Sequence, residues 1–246
     1  MALKQTTRTR KASPRPRPRA LWITRAQPGA DATAARVREL GIEPIVAPLL
    51  EVRPIADADL DLTGVSAIAF TSANAVAAFA ARSPERAIRV FAVGDATAAA
   101  ARTARFSSVL SAQGDVAALA SALAARRREL AGVILYPAAA EPSQDLAGAL
   151  AGVGLQVRQA AVYETVAIGP PGTFAERLPQ IDGVLLHSAK AAQGLARFLK
   201  ANPAPQLVAY CLSRQIARAL GRAGLAQTLA AAQPNETALL SLLAGA

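Results

Sequence analysis

The stretch A-I-A-F-T-S-A-N-A-V-A-A-F, Ala67–Phe79, decides how this chain is read. An apolar run ends in Thr71-Ser72, and an alanine-rich helical pattern starts at once. A strand that empties into a helix gathers unpaired backbone N–H groups and the positive end of the helix dipole at one point. Such a point suits anions. It equally suits plain capping, because Ser and Thr are common N-caps without any ligand. The choice turns on whether the pattern recurs.

It recurs along the whole chain. Leu21–Thr24 (L-W-I-T) is a short apolar strand, and Asp31–Leu40 has helical spacing that stops at Gly41. Ile45–Val52 is expected to be a second strand, with Pro48 placing it at an edge or a connection. Ile68–Phe70 and Val90–Val93 are further strands backed by helices, and a helix after Gln113-Gly114-Asp115 runs to about Arg128. Val133–Tyr136 then begins the series again.

The second half repeats the first. E-L-G-I-E-P-I-V-A-P-L-L-E (Glu39–Glu51) lines up with G-V-G-L-Q-V-R-Q-A-A-V-Y-E (Gly152–Glu164), and I-A-F-T-S-A-N-A-V (Ile68–Val76) with V-L-L-H-S-A-K-A-A (Val184–Ala192). V-F-A-V-G-D-A-T-A (Val90–Ala98) faces V-A-Y-C-L-S-R-Q-I-A (Val208–Ala217). Q-G-D-V-A-A-L-A-S-A-L (Gln113–Leu123) faces Q-P-N-E-T-A-L-L-S-L-L (Gln233–Leu243). Four matches in one order, at offsets of 113 to 120, indicate a duplication. Alternating strands and helices imply parallel sheets covered on both faces, here in two similar lobes. In such sheets ligands sit beyond the carboxyl ends of the strands. Those ends carry Thr24-Arg25, Thr71-Ser72, Gly94-Asp95, Pro137, His187-Ser188 and Ser213-Arg214.

Composition removes several classes of function. The 246 residues are 52% hydrophobic but only 4% aromatic, and no apolar run reaches the roughly 20 residues of a membrane span. One cysteine, Cys211, allows no internal disulfide and agrees with a reducing, cytoplasmic compartment. One histidine, His187, makes a zinc site unexpected, since such sites take three or four N or S ligands. The first strand leads into T-R-A-Q-P-G-A, which is no dinucleotide loop. The net charge of +10 includes seven cations in residues 1–20, and removing them leaves +3 for the body. Residues 1–19, with P-R-P-R-P-R, read as a disordered basic tail, and the body lacks the charge of a nucleic-acid protein.

The motifs L-W-I-T-R-A-Q-P, L-G-I-E-P-I-V-A-P-L, F-T-S-A-N-A-V, V-F-A-V-G-D-A-T, A-V-Y-E-T-V, S-R-Q-I-A-R-A-L and P-N-E-T-A-L-L, in this order, resemble uroporphyrinogen-III synthase from about Leu21 to Leu243. The resemblance implies two α/β lobes joined by a two-stranded connector, with the active site between them. It places one lobe at 20–47 plus 167–246, the other at 53–160, and the connector strands at 47–53 and 160–167. The implied reaction cyclises linear hydroxymethylbilane to uroporphyrinogen III, with loss of water and inversion of ring D, in haem biosynthesis. No cofactor is implied. A monomer is expected, acting on a tetrapyrrole without nucleic acid or membrane.

Loss of the bilane hydroxyl leaves an azafulvene, which needs a fold that holds the substrate curled and dry more than it needs a metal or thiol. Tyr163, in V-Y-E-T, matches the family tyrosine that faces the cleft, and a phenol is a suitable proton donor because it stays protonated. Its alternative is a packed tyrosine with a capped hydroxyl. Thr71 and Ser72, with the backbone of Ala73 and Asn74, form a candidate carboxylate nest, against plain capping. Thr97 matches a family position at the cleft, against a hydroxyl that satisfies the local backbone. Ser188 and Lys190 offer a hydroxyl and a cation in the other lobe, and Arg25 a guanidinium, against a solvated arginine. Ser213 joins the binding set, although Ser213-Arg214 stands where the family more often has a Gly-Pro-Thr-Thr-like turn, and Ile216 where threonine is common. His187 is expected to be packed or partly exposed rather than a base, and Cys211 a small buried hydrophobe. The competing reading is a non-catalytic two-lobed module that binds a small anionic ligand. Paired receiver-like domains would need an acidic pocket with an aspartate at a strand end, which neither half supplies.

Overall fold

The computed structural model describes residues 16–142 and 145–244. The expected basic tail lies outside the described residues up to residue 15, and residues 16–19 form no helix or strand. The chain divides into two compact units, one running up to Glu51 and resuming at Ala167, the other Val52–Val166.

The first unit opens with β1 (Ala20–Ile23), α1 (Gly29–Glu39) and β2 (Glu43–Val46), and β3 (Leu50–Pro54) carries the chain out of it. The second unit continues with β4 (Val65–Phe70), α2 (Ala73–Arg82), β5 (Arg89–Ala92), α3 (Asp95–Thr103), β6 (Val109–Ser111), α4 (Val116–Ala124), β7 (Val133–Ala139), α5 (Leu146–Ala151) and β8 (Val157–Ala167). The chain then completes the first unit with a 3-10 segment (Gly172–Gln180), β9 (Gly183–Leu186), α6 (Ala189–Ala201), β10 (Val208–Cys211), α7 (Arg214–Ala219), β11 (Gln227–Ala230) and α8 (Glu236–Ser241). The result is the two mainly parallel sheets flanked by helices that the alternation implies.

Side chains of successive strand residues point to opposite faces, so a parallel strand covered on both sides must be apolar throughout. β1 and β9 are buried at every position. In the first unit Leu21, Ile23, Leu185 and Tyr210 pack with Ala30, Ala34 and Val37 of α1 and Leu239 and Leu240 of α8. Their neighbours Trp22, Val184, Leu186 and Cys211 turn the other way, toward Leu195 and Leu199 of α6 and Ile216 of α7. The second unit repeats this division. Ile68, Phe70, Val90 and Leu135 pack with Val76 and Phe79 of α2, whereas Ala67, Ala69, Phe91 and Ile134 pack with Leu119 and Leu123 of α4.

Two strand expectations need correction. Ile45–Val52 is not one strand: β2 ends at Val46 and β3 begins at Leu50. Pro48 has no N–H to continue a ladder. The Ala47 carbonyl beside it accepts the Trp22 indole N–H at 2.6 Å, and the Leu49 N–H donates to the Thr24 carbonyl. Pro137 is not at a strand end but inside β7. The Ile134 N–H points to the Gln156 carbonyl, so by alternation the missing N–H of Pro137 faces β4, whose register with β7 ends at Leu135. The helix after Asp115 also stops early, at Ala124, and continues to Glu129 as turns.

Gly183 shows how closely β1, β9 and β10 approach. A Cβ there would lie 2.6 Å from Tyr210 Cε2, 2.9 Å from Leu21 Cδ2 and 3.1 Å from the Val208 carbonyl oxygen. Gly183→Ala should therefore lower stability by about 1–3 kcal/mol, as overpacking of a core does. Urea unfolding of the purified variant checks this; an unchanged midpoint would mean the three strands separate at little cost.

Candidate functional site

The strand order fixes where each sheet can open. In the first unit it is β11-β10-β9-β1-β2, so the chain leaves β1 toward one side and later returns on the other. In the second it is β3-β8-β7-β4-β5-β6, with the same reversal between β4 and β7. Helices that leave neighbouring strands toward opposite faces part there, beyond the carboxyl ends. Thr71 and Ser72 follow β4, while Arg25 and His187-Ser188 follow β1 and β9. Both sets of expected residues stand at a reversal point.

In the second unit two hydroxyl pairs form side by side. Ser72 Oγ lies 3.1 Å from the Tyr163 hydroxyl, and Thr71 Oγ1 lies 3.3 Å from the Tyr136 hydroxyl. Ser72 is also the N-cap of α2, its oxygen accepting the Ala75 N–H at 3.1 Å. The capping reading is thus correct for Ser72 without excluding the other, because a hydroxyl oxygen has two lone pairs and a proton. The first N–H groups of the helix, on Ala73 and Asn74, have no carbonyl of their own helix to meet. Tyr136 is buried, and burial pushes its phenol above the ordinary value of 10.0, opposed by the Thr71 hydrogen bond and reinforced by Tyr163 and Asp145. Thr97, in the first turn of α3 after Gly94, is also buried, and its hydroxyl has no partner among the described residues.

In the first unit the groups are charged. Arg25 Nη1 donates to Thr33 Oγ1 at 3.2 Å and lies 3.6 Å from Glu236 Oε2. Thr33 Oγ1 donates to Glu236 Oε1 at 2.8 Å, and His187 Nε2 meets Glu236 Oε2 at 2.8 Å. Burial alone would raise the Glu236 carboxyl. The hydrogen bond and charge of His187, the Thr33 hydroxyl and Arg25 outweigh it and hold the group at about 2. His187 is packed, as expected, with Nδ1 buried and unpartnered. Ser188 caps α6 through the Ala191 N–H at 3.1 Å, and Ser213 caps α7 through the Ile216 N–H at 3.3 Å. Lys190 is exposed in the first turn of α6. Cys211 is fully buried, which pushes its thiol up to about 12 and leaves it unreactive.

The structure thus joins Ser72 to Tyr163 and gives Thr71, Ser188, Ser213 and Arg25 their own partners. Tyr136, Thr33 and Glu236 were not singled out from the sequence. A tyrosine closing the apolar run Val133–Tyr136 was the available signal for the first, and P-N-E-T, with its Asn cap and acidic first turn, for the last. A groove of about 540 Å³ in the first unit is lined in part by Leu49, Ile168, Arg197 and Phe198, and includes none of the expected residues. Among the described residues no cluster of three His, Cys, Asp or Glu could hold a metal ion, and no helix is long and apolar enough to cross a membrane.

Residues 31–241 match the model of the family described as Uroporphyrinogen-III synthase HemD. Among solved structures, uroporphyrinogen-III synthetase from Helicobacter pylori 26695 is similar at a TM-score of 0.62 and 18% identity, covering 91% of this chain and 96% of that one. A mutant uroporphyrinogen III synthase from the extremely thermophilic bacterium Thermus thermophilus aligns at a TM-score of 0.47 and 17% identity, covering 92% and 96%. No curated protein matches the chain.

The Glu236 cluster makes a prediction about acid. A carboxyl held at about 2 in the folded chain, against an ordinary 4.5, stabilises the fold fully above about pH 4.5 and progressively less as pH falls toward 2. Urea midpoints measured from pH 6 down to about pH 2.5 should fall more steeply for the natural chain than for Glu236→Gln. Parallel curves would show that the cluster adds nothing to stability.

Proposed function

Since the chain belongs to the uroporphyrinogen-III synthase family, we propose that it closes its substrate with Tyr163 as the proton donor. The chain is a cyclising lyase of haem biosynthesis: linear hydroxymethylbilane becomes uroporphyrinogen III, with ring D inverted and water lost. Family membership disfavours the non-catalytic binding module. The finer reading, a cytoplasmic protein that acts without nucleic acid, is supported by the single cysteine and the modest charge of the body.

The observation that carries the assignment of Tyr163 is its hydroxyl pair with Ser72 at 3.1 Å. Ser72 accepts the Ala75 N–H, so its own proton is available to donate to the phenol oxygen. Tyr163 then directs its proton outward, to the hydroxyl of the bilane. The C–O bond breaks, water departs with that proton, and the pyrrole nitrogen supplies the electron pair that forms the azafulvene. Ring D attacks the azafulvene methylene through its substituted α-carbon, and its C–C bond to the ring C methylene breaks. That methylene is recaptured by the free α-carbon of ring D, whose lost proton restores the phenol; ring D is thereby inverted. Thr71, the Ala73 and Asn74 N–H groups, Arg25, Ser188, Lys190 and Ser213 are read as anchors for the substrate carboxylates. Thr97, nearly enclosed, is the least accessible of this set.

The test of the activity is incubation with hydroxymethylbilane, followed by oxidation and separation of isomers I and III. Isomer III must exceed the spontaneous background; isomer I alone would overturn the reading. Tyr163→Phe should lower kcat toward the low end of the roughly 10²- to 10⁴-fold that general acid help is worth, or less, because the azafulvene also forms unaided. Its stability should change by only about 1 kcal/mol, and its product should remain isomer III. Ser72→Ala should lower kcat in the same direction, and the double variant should be no slower than Tyr163→Phe; independent effects would separate Ser72 from the proton path. Thr71→Ala leaves the Ser72–Tyr163 pair intact and should raise KM while kcat stays near that of the natural chain. A lower melting temperature with unchanged KM would instead leave Thr71 a structural partner of Tyr136.

A further inference from the structure

Arg25 has two distinct edges. A guanidinium carries five N–H donors in a rigid plane. Nη1 is turned toward Thr33 at 3.2 Å and Glu236 at 3.6 Å, whereas Nε and Nη2 have no acceptor among the described residues. The side chain is 36% exposed, so it is neither enclosed nor fully solvated. The edge formed by Nε and Nη2 presents two parallel donors, the arrangement that meets a carboxylate bidentately.

Two features hold that edge in place. Glu236 is itself immobilised, with Oε1 on Thr33 and Oε2 on His187, each at 2.8 Å. The second feature is the absence of a side chain at Gly29. A Cβ there would stand 2.6 Å from Arg25 Nε and 2.7 Å from Cζ and Nη2, so the guanidinium rests directly over the start of α1. Gly29 has no positive φ to explain its identity, and the adjacent guanidinium does explain it.

We propose that Glu236 and Gly29 are positioning residues that set the Nε–Nη2 edge of Arg25 for a carboxylate of the substrate. The proposal rests on the reading of Arg25 as a carboxylate anchor. Glu236 touches no substrate: it fixes one edge of the guanidinium, and Gly29 leaves room for its plane. An arginine held this way loses less rotamer freedom when the carboxylate arrives than a solvated one would.

Steady-state kinetics with hydroxymethylbilane, read as isomer III, and thermal melts test this on Arg25→Ala, Glu236→Gln, Gly29→Ala and the Arg25→Ala/Glu236→Gln double variant. Arg25→Ala should raise KM by about tenfold, and Glu236→Gln and Gly29→Ala by about threefold or more, with kcat within about twofold. The double variant should match Arg25→Ala, since Glu236 acts through Arg25. Gly29→Ala displaces the guanidinium but keeps the bonds of Glu236 to Thr33 and His187, and alanine favours the helix, so its melting temperature should change little. It decides the matter if Glu236→Gln does not fold. Lower melting temperatures with unchanged KM in both positioning variants would overturn the proposal, as would additive effects in the double variant. An unchanged KM in Arg25→Ala would remove Arg25 as an anchor and the proposal with it, while leaving the cyclase activity standing. Absence of isomer III from the natural chain would overturn the activity itself.

Discussion

A parallel sheet covered on both faces admits almost no polar side chain along its length. Inner strands such as β1 and β9 bury both their alternating sets of residues, and their backbone groups are spent on their neighbours. Polar side chains therefore fall mostly to the residues that follow the inner strands, with the Tyr136 and Tyr163 hydroxyls, inside β7 and β8, as the exceptions. In both sheets those residues are used first to start helices: Ser72, Ser188 and Ser213 each accept the N–H three residues on. Capping does not use up these hydroxyls. A serine that caps with one lone pair keeps a proton and a second lone pair for another partner.

The two units use their reversal points differently. Between β4 and β7 the partners are neutral hydroxyls, Ser72 with Tyr163 and Thr71 with Tyr136. Neutral pairs are suited to moving a proton, since neither partner must first lose a salt bridge. Between β1 and β9 the partners are a guanidinium, a carboxylate and an imidazole. Charge is suited to holding an anion. The carboxylate there does not cancel the guanidinium for all purposes, because a planar group can be paired on one edge and open on another.

Much of this was legible in the sequence, for a physical reason. Strand and helix periods, and a Ser or Thr where one passes into the other, are local properties of the chain, and they located Thr71, Ser72, Ser188 and Ser213. Tyr163 was found through resemblance, and the structure supplied the partner that makes it intelligible. What stayed hidden was pairing across distance. Thr33 meets Glu236 across 203 residues and Thr71 meets Tyr136 across 65, and no periodicity reports such contacts. Arg25 was a candidate anchor with a solvated arginine as the alternative, and its contacts with Thr33 and Glu236 stayed hidden for the same reason. The misplaced strand at Ile45–Val52 failed on a different ground. Its apolar run was continuous, but Pro48 broke the ladder and the Trp22 indole took the neighbouring carbonyl.

The order of synthesis gives the divided first unit a further meaning. β1 needs β9 as its neighbour, and the whole of the second unit is translated between them. At about 5–20 residues per second, the roughly 160 residues from Ile23 to Gly183 take on the order of 8–30 s to make. The second unit, being one continuous segment, can complete its own sheet on the ribosome within that interval. β1 cannot, and Leu-Trp-Ile waits with only β2 to pair with. A nascent apolar strand in that position is what chaperones bind, so the step most exposed to aggregation in the cell is the late closing of the first sheet around its oldest strand.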